Sequence, residues 1–434
     1  SKTAADIKAD GTLGDLFTLA NGWTTENGKL PGFSAAVDMP DYIIDISGAY
    51  FNGAGTVGSP YEISTPQQLA KLAELVNDGD TDYNSKYYIL TSDLDLSAYG
   101  KNYNDSEGWV PIGEYRGNFD GNYKTITGLY INRASIYQGL FGAVYGTVKN
   151  LGVVEVDISG RGICGGITGC IFGTVENCFV TGKIQGSLND IGDIGGIAGD
   201  VANYAIAKNC YSSAEIRSNN DRVGGIAGQV FTGAKIENCY STGSVSGRAK
   251  TGGIAGVTNG TVRNCAALNP SVAGTEPTGR VGVMGDSGNG VLENNIAFDG
   301  MTVTVGGNSK EPRDEGGNAV DGESKDKVAL QTVDAFPTGF TSGFWTYNAG
   351  NLPILTGFAE GVQDVSMPAH LLPEGASPFE GAGTESNPYL IKTAQDLARL
   401  AELVNGGESF SGKYLRLENN LDLSGYASAD EGKG

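Results

Sequence analysis

The chain has 434 residues, of which 68 are glycine, and a formal net charge of −21. Such an acidic chain is repelled by phosphate backbones and anionic lipid headgroups, so neither nucleic acid nor a membrane surface is an expected partner. The glycines follow no three-residue period, which excludes collagen, and no apolar run reaches the roughly 18 residues of a membrane span. Because His370 is the single histidine, His-based triads and multi-histidine zinc sites lack their residues.

A long internal repeat predicts the domain organisation. Residues 53–77 read GAGTVGSPYEISTPQQLAKLAELVN and return as GAGTESNPYLIKTAQDLARLAELVN at 381–405. Repetition at a fixed offset is typical of a tandem array. The repeat predicts four segments: the tail of a preceding module (1–50), one complete module (51–360), a linker (361–380) and the truncated start of the next module (381–434).

An amphipathic helix opens each copy. Thr65 is followed by proline and, three positions on, by Gln68, which is a capping box with proline at the first helical position. Apolar residues then recur at helical spacing, which predicts a helix over Pro66–Asn77. We expect this helix to cover the open end of a strand stack, hiding edges that would otherwise pair with other chains. The second copy starts at Thr393, with Asp396 in place of the glutamine.

A shorter period follows the first alternating strands, which we expect between Tyr87 and Ile131. Glycine-flanked apolar residues recur every 27 to 30 positions. They are Leu140, Ile167, Ile197, Ile226, Ile254 and Val283. Segments of the types GTVENC and TGSVSG accompany them, so most units offer three short strands with a period of two.

Three strands in so short a unit bury an apolar face only when successive units stack. The fold class predicted is all-β: a right-handed parallel β-helix, or solenoid, with short capping helices. A propeller is excluded, because each of its blades needs about 40 residues and four strands.

Four cysteines occupy one equivalent position in successive units. Leu151 holds the same position in an earlier unit, so the position is apolar and faces inward. The cysteines are Cys178, Cys210, Cys239 and Cys265. Stacked parallel Cβ atoms lie about 4.8 Å apart, beyond the separation that a disulfide prefers, so free buried thiols are predicted. A bridge between Cys164 and Cys170 stays open.

An asparagine precedes each of these cysteines and recurs in the flanking units. The six are Asn150, Asn177, Asn209, Asn238, Asn264 and Asn294. Asparagine tolerates the left-handed conformation at a tight corner, and its amide can bond the unit above. The pattern predicts a structural polar ladder rather than a ligand site.

The end of the module is less regular. Gly306–Lys327 is polar and predicts a surface loop, a short helix is expected near Ala329–Ala335, and Trp345 would help to close the module. We expect 382–427 to fold as a helix-capped start that docks on the preceding module, with the helix contacting residues before Phe358.

The series GLFG, GGIAG, GTVENC and TGSVSG, preceded by DLDLS and FDGN, resembles the GLUG-repeat family of bacterial cell-surface proteins. The resemblance covers roughly 53–358 and again the C-terminal segment. It implies an extracellular protein, cell-surface or secreted, that is often adhesin-like and built from β-helical modules. Some members carry the repeat beside a metallopeptidase that cleaves immunoglobulin A. The HExxH of that peptidase is missing here, so its activity is not carried over.

The expected function is therefore a non-catalytic surface, adhesion or stalk module. A glycan or a host or matrix protein would bind through polar loops such as 102–107 and 306–327, and adjacent modules of the same chain are further partners. No catalytic, cofactor or metal site is predicted.

Two alternatives stay open. Asp93 and Asp95 alternate on one strand, as an acid and base pair of a polysaccharide lyase or hydrolase would. Asp78, Asp80 and Asp82 alternate as in calcium loops, so calcium is the one cofactor left open, for a calcium-stabilised spacer.

Overall fold

The computed structural model describes residues 17, 22–25, 29–33, 37–38, 50–186, 192–219, 221–275, 277–285, 288–312, 315–364, 366–373, 377, 379–405, 407, 409–421 and 423. Most of the tail predicted for 1–50, including Met39 and Pro40, and the end of the expected 382–427 segment lie outside these residues. The part described is dominated by strands. Its α-helices are α1 (Pro66–Asn77), α2 (Thr81–Asn84) and α3 (Ala394–Asn405).

Two narrow parallel sheets run along the molecule, and each strand comes from a different coil. One sheet has seven strands: Ile112–Tyr115, Phe141–Val144, Thr168–Ile171, Ala198–Val201, Ala227–Val230, Ala255–Thr258 and Gly282–Met284. The other has six: Tyr137–Gln138, Ile163–Cys164, Asp193–Gly195, Arg222–Gly224, Thr251–Gly252 and Thr278–Gly279.

A large curved sheet carries the rest of each coil. Its early strands are Tyr61–Ile63, Tyr87–Leu90, Leu94–Asp95, Asn118–Thr127, Tyr130–Arg133, Thr147–Gly160 and Thr174–Gly186. The later coils divide it into shorter strands: Ile206–Lys208, Tyr211–Ser212, Glu215–Arg217, Lys235–Glu237, Tyr240–Ser241, Val245–Ser246, Thr261–Arg263, Ala266–Ala267, Ser271–Gly274, Val291–Glu293, Ile296–Phe298 and Thr302–Val305. Pairing between coils is parallel throughout these strands. The predicted all-β parallel β-helix is confirmed.

The glycine-rich motif forms the narrow edge where the two smaller sheets meet. In the coil that contains GGIAG, Ile197 is fully buried in the core. A Cβ atom on Gly199 would lie 2.5 Å from the carbonyl oxygen of Asp193. Only glycine lets the two strands approach this closely, which explains why the motif recurs with every coil.

Helix α1 covers the first edge of the seven-stranded sheet. Thr65 caps it by accepting a hydrogen bond from the backbone N–H of Gln68, 3.2 Å away. Its buried stripe is the one that the sequence predicts, namely Leu69, Leu72, Ala73, Leu75 and Val76. At its end the Asn77 amide accepts from Gly113 N–H at 2.8 Å and donates to Pro111 O at 3.1 Å. The predicted capping helix is therefore confirmed.

Residues 328–372 form a strap that lies against the large sheet. It contains 3₁₀ turns at Ala329–Gln331, Val333–Ala335, Thr338–Thr341 and Ala369–Leu371 and a hairpin of Trp345–Thr346 with Ile354–Leu355. The strap packs on outward-facing aromatic rings: the Phe358 ring lies 5.1 Å from that of Phe179, and Tyr240 donates to Pro353 O at 2.9 Å. The helix expected near Ala329–Ala335 is thus two 3₁₀ turns.

The loop predicted at Gly306–Lys327 belongs in part to the β-helix. Its strand Glu323–Lys325 pairs in parallel with Ile296–Phe298, and a short strand, Asn308–Ser309, precedes it. The reason is Arg280, which is fully buried and donates to Asp321 O at 2.9 Å and to Ser324 Oγ at 2.8 Å. A buried guanidinium needs such partners, so the segment folds over it.

The second copy is joined to the module through the linker. Tyr389–Ile391 pairs in parallel with Leu415–Leu417, and α3 packs on this pair. Arg399 of α3 donates hydrogen bonds to Ser366 Oγ and Met367 O. These two hydrogen bonds join α3 to the linker, and the contact that we expect between α3 and residues before Phe358 stays a prediction. The linker itself is held to the β-helix, because His370 Nε2 lies 2.7 Å from Leu268 O.

Candidate binding cleft

The predicted corner asparagines form one column on the described coils. Each side-chain amide donates to the Oδ1 of the asparagine one coil earlier, over distances of 2.7 to 3.3 Å. Each of the six has a φ between 52° and 55°, in the left-handed region. The column ends on Asp120, whose Oδ1 accepts from Asn150 at 2.9 Å. The amides are thus used up by the fold and leave no ligand site.

The four aligned cysteines form a second column inside the coil. Cys178, Cys210, Cys239 and Cys265 are fully buried, and all six cysteines of the chain are free thiols. Each thiol of the column lies 3.2 or 3.3 Å from a carbonyl oxygen two residues before it. Burial raises the pKa of Cys178 and Cys239 and raises that of Cys164 to about 12. Thiols in this state are poor nucleophiles and poor metal ligands.

The paired acids of the catalytic alternative are engaged in local structure. Asp93 Oδ1 accepts from the backbone N–H of Thr125 at 2.7 Å and from its hydroxyl at 3.1 Å. Asp95 accepts from the backbone N–H and the hydroxyl of Ser97 at 2.8 and 3.0 Å. Both carboxylates therefore position turns between the first coils.

The acids of the calcium alternative lie around the end of α1. Asp78 is the C-cap of α1, and Asp80 caps α2 by accepting from the backbone N–H of Asp82 at 2.8 Å. Over the described residues, no group of three or more His, Cys, Asp or Glu side chains has the arrangement of a metal site.

A polar cleft of about 390 Å³ lies on the outer side of the large sheet. Parallel pairing stacks Asn132, Ser159 and Gln185 on three successive coils. Gly160, Gly186, Arg133 and Arg161 also line the cleft. The remaining lining residues are Glu107 and Ala134.

Arg133 is held in position by the fold. Arg133 Nε donates to Trp109 O at 2.8 Å, Nη2 donates to Gly108 O at 2.9 Å, and Nη1 pairs with Glu107 at 2.8 Å. The predicted loop 102–107 therefore reaches the cleft through Glu107. The cleft combines amides, a hydroxyl and guanidinium groups, which suits a ligand rich in hydroxyl or carboxylate oxygens.

Sequence reasoning missed this cleft. Its signal lay in the third segment of each unit, where Asn132-Arg133, Ser159-Gly160 and Gln185-Gly186 occupy equivalent positions. Aligning these pairs would have stacked three polar side chains beside two glycines. The other candidate loop, 306–327, supplies Glu315 and Asp321 to Arg280 and so has a structural role.

Comparison with known proteins agrees with this architecture. Residues 219–246 match the family model described as the GLUG motif. The chain is 35% identical over 112 residues to a candidate Gly-rich membrane protein of Evansella cellulosilytica, and the match covers 24% of this chain and 12% of that protein. It is 34% identical over 116 residues to halomucin of Haloquadratum walsbyi, and the match covers 26% of this chain and 1% of that protein. Both matches thus span a small part of much longer relatives.

A solved structure extends the likeness to the fold. The crystal structure of a candidate immunoglobulin A1 protease from Bacteroides ovatus superimposes with a TM-score of 0.58 at 25% identity, over 72% of this chain and 97% of that one. In the described residues, no helix is both long and apolar enough to cross a membrane. The chain therefore carries the GLUG repeat, folded as a parallel β-helix, and is similar to proteins of the surface type.

Proposed function

We propose that the chain is a non-catalytic extracellular module of a bacterial cell-surface or secreted protein, which serves as a stalk or adhesive segment in a tandem array. The GLUG repeat and the surface-type relatives support an extracellular repeat module. The Bacteroides ovatus protein is described as a candidate protease. We do not propose that activity for this chain.

The observation that carries the proposal is the anchored second copy. Arg399 joins α3 to the linker, His370 joins the linker to the β-helix, and Gln331 of the strap donates to Leu371 O. Such fixed contacts make successive modules a semi-rigid rod rather than beads on a string.

The surface of the second copy supports the same proposal. Val404 is 51% exposed and Leu417 is 59% exposed, whereas their counterparts Val76 and Leu90 are buried. In the complete module, the strand Asn118–Thr127 pairs with Tyr87–Leu90 and covers this position. A coil of the same type is therefore the partner that fits the exposed surface.

The adhesive part of the proposal rests on the cleft. Sugar hydroxyls are bound through dense sets of amide, hydroxyl and guanidinium groups, and Asn132, Ser159, Gln185 and Arg161 supply such a set. The ligand class that we propose is a glycan, either neutral or carrying carboxylate groups that guanidinium recognises.

A panel of neutral and acidic glycans tests both parts of the proposal. The expected result is binding without new reducing or unsaturated ends, and about tenfold or more weaker binding for Arg161→Ala and Gln185→Ala. Arg248→Ala, which removes an exposed arginine paired with Asp221, is the matched control and should bind normally. Cleavage of any glycan would overturn the non-catalytic proposal, and unchanged binding in both cleft variants would remove the cleft from it.

A further inference from the structure

Two aspartates meet where the narrow sheets approach each other. Asp193 begins the strand Asp193–Gly195 of the six-stranded sheet, and Asp200 lies in Ala198–Val201 of the seven-stranded sheet. The two residues are 2% and 5% exposed, respectively. Two acids thus share one buried position, which neither the ladders nor the cleft uses.

The guanidinium group of Arg222 is the positive charge that pairs with one of these acids. Arg222, on the adjacent strand of the six-stranded sheet, forms an ion pair with Asp193 through Nε. Asp200 Oδ1 is buried and makes no hydrogen bond. An ionised carboxylate in that setting is strongly disfavoured, because burial and a like charge both oppose it.

The other titratable groups near the pair add no positive charge. They are Cys170, on the strand beside Asp200, and Tyr137 of the six-stranded sheet. Burial, followed by the charges of Asp200 and Asp193, raises the pKa of Cys170. Burial, followed by Cys170 and Asp200, raises the pKa of Tyr137. Both groups are therefore neutral at physiological pH.

The column that contains Asp200 is otherwise uncharged in its neighbouring coils. Parallel register aligns Asp200 with Ala143, Cys170, Gln229 and Val257. The same column begins at Glu114, whose side chain is 64% exposed, whereas the neighbours of Asp200 in the column are neutral.

We infer that Asp200 keeps its proton at neutral pH in the folded chain and thereby makes the β-helix less stable as the pH rises. In the unfolded chain an aspartate loses its proton near pH 3.9, at about the ordinary value. Burial and the neighbouring Asp193 raise the pKa of Asp200 in the folded chain. Between the two values the folded state holds one more proton, so the free energy of unfolding falls with increasing pH.

Thermal unfolding as a function of pH tests the inference. Asp200→Asn keeps the size of the side chain but cannot ionise, so its melting temperature should increasingly exceed that of the wild type as the pH rises from about 5. Asp105→Asn removes one charge from an exposed loop and should follow the wild type. A difference between Asp200→Asn and the wild type that stays constant with pH would overturn the inference.

Infrared spectroscopy in heavy water gives a second readout. The wild type should show the carbonyl band of a protonated carboxyl group at neutral pH, and Asp200→Asn should lose it. If that variant does not fold, the wild-type spectrum still decides, because absence of the band at neutral pH contradicts a retained proton.

Discussion

At the residue scale, the corner asparagines of the β-helix have two structural roles: they adopt a left-handed backbone conformation, and their side-chain amides bond from coil to coil. The backbone must turn through the left-handed region, with φ near 54° at Asn177, where most side chains are strained. The same residue sits at the same corner in every coil, so its amide can bond the next one. Asparagine meets both needs, whereas glycine would meet only the first.

Substitution of Asn209 separates these two contributions. Asn209→Ala should lower the free energy of unfolding by about 2–3 kcal/mol, because it adds left-handed strain and removes buried hydrogen bonds. Asn209→Gly removes the hydrogen bonds alone and should cost about 1 kcal/mol. Urea unfolding of the two variants measures the difference. Equal losses would show that the backbone conformation contributes nothing.

The buried, free cysteines predict that alkylating reagents modify the protein only after it unfolds. The six free thiols are buried, and burial raises the pKa of two of those in the column, Cys178 and Cys239. Iodoacetamide should therefore leave the folded protein unmodified and add six labels after unfolding without reductant, as read by intact mass. Fewer than six labels in the unfolded protein would indicate disulfides.

At the element scale, α1 ends the seven-stranded sheet where another strand would otherwise add. The Asn77 amide copies the donor and acceptor of a peptide group at that edge. An uncovered edge of this type recruits other chains. The helix is thus both a cap for the core and a barrier to aggregation.

Replacing the edge amide tests this role. Asn77→Ala leaves Gly113 N–H and Pro111 O without their partner, so the free energy of unfolding should fall by about 1–3 kcal/mol and aggregation on heating should increase. Asn405→Ala changes the exposed counterpart in α3 and is the matched control, with little expected effect. The account of α1 fails if both variants melt and aggregate alike.

The elements differ in how far the sequence predicts them. The bounds of α1 follow from Thr65, Pro66 and the apolar spacing, because those signals are local. The coils follow from the GGIAG period, since stacking repeats each local signal. The fold over Arg280 and the strap on Phe179 depend on residues far apart in sequence, and no period marks them. The cleft differs, because its residues do follow the period, with Asn132, Ser159 and Gln185 at equivalent positions of successive coils, but no single unit contains the whole set.

At the scale of the whole molecule, two hydrophobic cores are joined by the linker. One core runs through the coils from Phe51 to Leu371, and a second, smaller core surrounds α3. The linker joins them through specific contacts, namely those of Arg399 and His370. Burial lowers the pKa of His370 to about 4, so this histidine stays neutral and its contact is insensitive to pH in the neutral range.

The distance distribution across the junction tests the central claim most directly. Spin labels at Thr232→Cys and Ser409→Cys, both exposed positions, can be attached because the native thiols are buried. Pulsed electron–electron double resonance should give one narrow distance peak, and Arg399→Ala should broaden it by releasing α3 from the linker. A peak that is already broad in the parent protein, and unchanged in the variant, would contradict the semi-rigid rod.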